Sequence, residues 1–182
     1  MKKAVLVLVC LCVVATAAQA VTPAPRFGVG AFAGLNVPVI QKDQKSGTEF
    51  GLRARIALLP FLVAEPNFTV IKWGKPDAVE GVVLGIDGSK VTSFGLDATL
   101  GFAPGTKGFK PFGIVGIGSY KVKNDDTKYD ETNIGFCGGF GFGLGVVPKI
   151  DIDVRGKAVV IPQTDGGSKK GLSLTAGLGY SF

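Results

Sequence analysis

Histidine is absent from all 182 residues. That removes Ser-His-Asp and Cys-His nucleophilic arrangements and every His-ligated metal site. The side chains left to do chemistry are carboxylates, cations and a few thiols. Asp151 and Asp153 stand two residues apart, a spacing that in a strand puts both carboxylates on one face. Such a pair could hold a cation or divide acid and base work. Arg155 follows at the same spacing, and mutual ion pairing is the simpler chemistry. Arg53 and Arg55 repeat the spacing with opposite sign. Glu65, Asp97 and Lys157 complete a set of four positive and four negative residues. The glycine-rich run Gly135-Phe136-Cys137-Gly138-Gly139-Phe140-Gly141 has no Gly-Lys-Ser/Thr after it. It also lies in a strand pattern, not ahead of a helix, so it is no phosphate loop. No catalytic residue, cofactor or metal is expected.

The elements that must carry these charges are strands. Glycine accounts for 28 of 182 residues, about twice the usual share of roughly 7%, and no Gly-X-Y period accompanies it. Such density disfavours long helices. Apolar residues recur with period two. Phe50, Leu52, Ala54, Ile56 and Leu58 alternate with Gly51, Arg53, Arg55 and Ala57. Ile150, Ile152, Val154, Ala158 and Val160 oppose Lys149, Asp151, Asp153, Arg155 and Lys157. The pattern predicts eight strands, over about 26–37, 49–58, 61–73, 91–103, 110–122, 132–147, 149–161 and 170–182. Many exceed the usual ~5–6 residues and match the ~9–11 that a tilted membrane-crossing strand needs. Short joints at Leu59-Pro60, Pro104–Phe109 and Pro148 alternate with longer loops at 38–48, 74–90, 123–131 and 162–169. Short turns at one end and longer loops at the other fit an outer-membrane barrel. Pro66 interrupts the third strand, where a bulge is expected. The segment 79–87 alternates weakly and could extend a hairpin above the rim.

The first residues belong to export. Lys2 and Lys3 precede an apolar run from Ala4 to Ala15, and Ala18-Gln19-Ala20 forms a small-x-small cleavage signal. Residues 1–20 read as a signal peptide cut before Val21, and 21–182 as one domain. The run is too short for a comfortable transmembrane helix. Cys10 and Cys12 leave with the signal, so Cys137 remains alone and no intrachain disulfide is expected.

A strand pattern does not by itself say which face meets lipid. A secreted lipocalin-like barrel, apolar inside, shares it. Three features favour the membrane. Gly135, Gly139, Gly141, Gly143 and Gly145 share one face, as a crowded narrow interior requires. Aromatic residues gather toward strand ends: Phe27, Phe102, Phe112, Tyr180 and Phe182 at one rim, Phe50, Trp73 and Tyr120 at the other. These are expected to form interfacial girdles. The chain closes on Leu178-Gly179-Tyr180-Ser181-Phe182, with Leu178, Tyr180 and Phe182 in register with the apolar face. This ending resembles the C-terminal assembly signal of bacterial outer membrane proteins. With the alternation over 21–182, the chain resembles the small outer membrane beta-barrel superfamily, which includes opacity-type proteins and the transmembrane domain of outer membrane protein A. The resemblance implies an eight-stranded antiparallel up-and-down transmembrane barrel inserted by the barrel-insertion machinery. No peptidoglycan-binding domain is expected after Phe182.

An eight-stranded barrel has an interior that side chains fill. Arg53, Arg55, Glu65, Asp97, Asp151, Asp153, Arg155 and Lys157 are then expected to form an inward ion-pair network nearer the short turns. A structural or surface-interaction role without catalysis follows, with a small gated pore as the alternative and a lipocalin-like carrier beyond it. An outer-membrane lipid enzyme is disfavoured by the missing histidine. Lys42, Lys45, Lys75, Lys90, Lys123, Lys128, Lys169 and Lys170 lie in or beside the longer loops, where they could hold lipopolysaccharide phosphates. The net charge of +6 is not matched by basic-aromatic interleaving, so no nucleic acid is expected. The oligomeric state is not written in the sequence, and a monomer is favoured.

Overall fold

The computed structural model describes residues 27–39, 45–74, 88–101, 107–124, 126, 128–163 and 167–182. The proposed signal peptide with Ala18 and Ala20, the segment 79–87 and Phe102 lie outside them. Eight strands follow in chain order: β1 (Phe27–Val39), β2 (Lys45–Leu59), β3 (Leu62–Gly74), β4 (Lys90–Leu100), β5 (Gly108–Asn124), β6 (Tyr129–Val147), β7 (Ile150–Pro162) and β8 (Ser168–Ser181). Each pairs antiparallel with its chain neighbour, and β1 pairs with β8 to close the barrel. Closure removes every exposed strand edge, which a lipid solvent demands.

The register fixes the dimensions. Successive cross-strand partners run from Phe27 through Ile56, Ala64, Ala98, Val115, Gly138, Ala158 and Leu172. One circuit ends at Val37, ten residues farther along β1 than Phe27. That stagger, with ~3.3 Å per residue and ~4.8 Å between strands, gives a tilt of roughly 40°. Phe27 to Val37 then covers about 25 Å along the barrel axis, the height of a lipid-facing apolar band. Their alternate residues do point outward: Phe27, Val29, Leu35 and Val37 are exposed, while Phe32 and Asn36 are buried.

The turns explain the connectivity. Pro60 and Phe61 join β2 to β3, and Pro148 and Lys149 join β6 to β7. Lys149 takes φ 77° there. The first and last described residues meet at this turn end, where the Phe182 N–H donates to the Phe27 carbonyl at 3.0 Å. At the opposite, loop end, β5 and β6 run on together to Asn124 and Tyr129, beyond the expected strand limits.

Two expectations are corrected. No bulge forms at Pro66. The β3–β4 ladder passes through it, and β2–β3 keeps the same register on either side of it. The β2–β3 irregularities lie instead between Lys45 and Thr48 and between Ala57 and Leu59. Nor do Trp73, Phe112 and Tyr120 belong to an outer girdle. All three are buried inside the barrel, because the pleat of β3 and β5 puts them in phase with Ile71 and Ile114. Glycine makes room for such rings. A Cβ on Gly141 would sit 2.5 Å from Phe112 Cζ, and one on Gly51 would sit 2.5 Å from Phe32 Cζ. Phe27, Phe50, Tyr180 and Phe182 do face outward.

Candidate functional site

The inner face carries both the chemistry and the packing. Alternation along β2 turns Glu49, Arg53 and Arg55 inward, and alternation along β7 does the same for Asp151, Asp153 and Arg155. β3 contributes Glu65 and β4 contributes Asp97. Arg55 has no exposed surface at all. Its Nη1 donates to Asp151 at 2.6 Å and its Nη2 to Asp153 at 2.7 Å. Its Nε lies 3.3 Å from Glu65 Oε1. Arg155 forks onto Glu65, with Nη1 on Oε2 and Nη2 on Oε1 at 3.1 Å, and its Nε donates to Asp153 at 2.7 Å. Arg53 Nη2 lies 3.2 Å from Asp153 Oδ1. Asp153 is thus ion-paired with three guanidinium groups, and planar forks of this kind suit carboxylates better than lysine would.

Asp97 and Lys157 stand apart from this cluster. Lys157 Nζ donates to Asp97 Oδ2 at 3.2 Å, and the Cys137 thiol donates to Asp97 Oδ1 at 3.3 Å. A water-sized void beside Arg53, Asn67 and Asp97 separates the two groups. Aromatic faces back two of the cations: Arg53 lies 4.8 Å from the Phe32 ring centre and Arg155 5.1 Å from that of Phe112. Glycines open the space that the guanidinium groups occupy. A Cβ on Gly177 would fall 2.1 Å from Arg53 Nη2, and one on Gly179 would fall 1.9 Å from Arg55 Nη1.

The ionic layer lies between apolar ones. Toward the loop end, Ile71, Trp73, Val91, Tyr120, Val122, Cys137, Val159 and Ile161 pack as one buried cluster. At the turn end, Val63, Phe112 and Ile114 form a second. Beside the upper cluster, Trp73 Nε1 donates to Asn36 Oδ1 at 2.8 Å and Asn36 Nδ2 donates to Glu49 Oε2 at 3.1 Å. Sequence reasoning missed this relay and the upper cluster. Glu49 was within reach, since it shares the inner alternation of Gly51 and Arg53. Trp73 was not, because an aromatic near a strand end reads equally as girdle or core. Among the described residues, no group of acidic, Cys or His side chains is placed to hold a metal.

Of the remaining sequence-expected residues, Lys42 and Lys75 lie outside the described ones, and the others lie on the rim and outer face. Leu178, Tyr180 and Phe182 are exposed on the outer face of β8 and just after it. Lys170 is exposed on β8, whereas Lys169 is half-buried at the barrel mouth.

Comparison with known proteins places this architecture. The structure is similar to Neisserial surface protein A, with TM-score 0.69 and 21% identity over 86% of this chain and 97% of that one. It is similar to the N-terminal beta-barrel domain of Pseudomonas aeruginosa OprF, with TM-score 0.60 and 14% identity over 87% and 98%. It is also similar to Ail, the attachment invasion locus protein of Yersinia pestis, with TM-score 0.55 and 16% identity over 88% and 100%. Among curated proteins, none matches the sequence. At these identities the structures speak for the fold. The sequence itself matches the family model described as outer membrane protein beta-barrel domain over residues 6–182. An outward apolar band about 25 Å high, a closed antiparallel barrel and that match agree: the chain belongs to the outer membrane protein beta-barrel family.

Proposed function

We propose that this outer membrane barrel is a non-enzymatic structural or surface-interaction protein whose lumen is sealed by its own side chains. The observation that carries this reading is the stacking of an ionic layer between two apolar clusters. Arg55 pairs with both Glu65 and Asp153, and Trp73, Tyr120 and Val122 close the path toward the loop end. A row of apolar side chains in so narrow an interior excludes water and raises a barrier to ions. The charges then act as staples between β2, β3 and β7, not as a gate. Absence of histidine supports a non-catalytic role.

The short turns and both described chain ends would face the periplasm, and the longer loops the exterior. Residues 1–20 would be the export signal, removed after Ala20. Leu178, Tyr180 and Phe182, outward and regularly spaced, would be read by the barrel-insertion machinery. The barrel would act as a monomer. Its rim lysines would meet phosphate groups of lipopolysaccharide. The Ail structure in complex with the heparin analogue sucrose octasulfate supports polyanions as ligands of such a barrel.

Planar-bilayer recording on the refolded barrel tests the seal. The expected result is no steady conductance from protein that shows a boiling-dependent mobility shift. Reproducible single-channel steps from the same preparation would replace the plug with the gated-pore reading.

A further inference from the structure

Three lysines meet in register on the outer face near the loop end. Lys72 of β3 stands directly opposite Lys90 of β4, and Lys90 stands directly opposite Lys123 of β5. All three are exposed. Like charges opposite one another in a sheet repel, and proteins rarely keep such a row without a counter-charge. The β6 flank supplies part of one: Asp130 faces Lys123 and pairs with Lys121 at 3.0 Å. Among the described residues, Lys72 and Lys90 have no salt-bridge partner. The row leaves β3 and β4 with an exposed, uncompensated positive edge.

Directly below the row, centred on the same strands, the apolar outer surface carries a shallow, open depression. This shallow groove, about 610 Å³, is lined by Phe68, Phe94 and Ile117 together with Gly95, Gly118 and Pro66. Phe68 and Phe94 pack with ring centres 4.8 Å apart. From Lys90 to Phe94 and Leu96 is four to six residues, or about 13–20 Å along the strand. Barrel geometry puts the lysines just above the apolar band and the groove within it. A cationic row above an apolar groove is complementary to a molecule with an anionic head and a hydrocarbon tail.

We propose that the outer face of β3, β4 and β5 binds a phosphorylated lipid of the outer leaflet, its phosphate on Lys72 and Lys90 and an acyl chain in the groove beneath. The inference rests on the reading that the loop end lies at the outer leaflet. It moves the lipid contact away from Lys169 and Lys170, which stand on β8 at the other side of the barrel. Lys123 adds to the field, and the gain from each lysine is electrostatic and weakens with salt.

The test uses the whole barrel refolded in phosphatidylcholine vesicles containing bis-phosphorylated lipid A, with retained lipid counted by native mass spectrometry. The wild type is expected to keep one lipid per barrel. K72Q/K90Q is expected to hold it about 30-fold more weakly, about fivefold per lysine, while K169Q/K170Q holds it as the wild type does. Lipid A stripped of phosphate is expected to be lost as readily as from K72Q/K90Q, and millimolar inorganic phosphate is expected not to displace the lipid. Equal retention by K72Q/K90Q, equal retention of the phosphate-free lipid, or displacement by inorganic phosphate alone overturns the site. Labelling of K128C on intact cells reads orientation separately. An external label with no retention sinks the lipid site alone, and a periplasmic label sinks both readings.

Discussion

Arg55 reaches across the lumen from β2 to β7 and donates to Asp151 at 2.6 Å. The two residues are 96 positions apart in sequence. Neighbouring strands are held by ladders, but β2 and β7 are not neighbours, so this bond ties the barrel across its lumen. Glu65 and Asp153 extend the tie to β3 and back to β7 through Arg155. Charges so deeply buried are held in place by their partners, and the loss of one leaves the others uncompensated.

Arg155→Ala is therefore expected to lower the stability of the refolded barrel by about 3–5 kcal/mol, because Glu65 and Asp153 lose their fork. Urea titration followed by the boiling-dependent mobility shift measures it. Arg155→Met combined with Glu65→Leu should cost less than the two single changes added together, since the pair is removed as a unit. An unchanged urea midpoint for Arg155→Ala would show that the network is not what braces the barrel.

Gly179→Ala should act through Arg55 without touching a charge. The added methyl would fall 1.9 Å from Arg55 Nη1 and 2.8 Å from Asp151 Oδ1. One of the two must move, at an expected cost of about 1–3 kcal/mol. Gly156→Ala is the control, since a Cβ there meets nothing within 4 Å. Equal loss from both would point to backbone effects on the strands in place of crowding in the lumen.

The strands were legible because period-two alternation is strict where one face meets lipid and the other a packed interior. Their phase was legible wherever charges marked the inner face, as Arg53 and Arg55 do on β2 and Asp151 and Asp153 do on β7. It was not legible on β5. There Phe112, Ile114 and Tyr120 point inward while Val115 and Ile117 point outward, so both faces are apolar and the alternation carries no sign. The inner aromatics needed a three-dimensional cue, the glycine on the facing strand. Which carboxylate meets which cation was equally hidden, because it depends on the stagger of ten residues around the barrel.

Cys137 offers a probe of the closed lumen. It is buried, and its thiol donates to Asp97. A buried thiol in tight surroundings is inert. Folded barrel is expected to resist maleimide for as long as it keeps its fast-migrating form, and boiled protein to label fully. Rapid labelling of the folded form would mean that the lumen admits solutes of that size.

Trp73 separates hydrogen bonding from volume at the loop end. Trp73→Phe keeps an aromatic ring but leaves Asn36 Oδ1 without the 2.8 Å indole donor. The expected cost is about 1–3 kcal/mol for the unsatisfied group. Trp73→Ala also opens a cavity beside Val91 and Tyr120, and should cost about 3–5 kcal/mol. If the Phe and Ala variants lose the same amount, packing is irrelevant and the relay to Glu49 carries the whole effect.

Phe182 distinguishes a residue that stabilises the barrel from one that is read during its assembly. Its side chain is 63% exposed on the outer face, and the bond from its N–H to the Phe27 carbonyl survives a change of side chain. Phe182→Ala should therefore change the unfolding free energy of refolded protein, read from urea titration, by no more than about 0.5 kcal/mol, as exposed substitutions do. In cells, the same variant should leave several-fold less folded barrel in the outer membrane, because assembly would read the aromatic before the fold exists. Equal amounts of folded wild type and variant in cells would remove the assembly role. A large loss in both settings would make Phe182 a packing residue against Tyr180, whose ring centre lies 6.3 Å away.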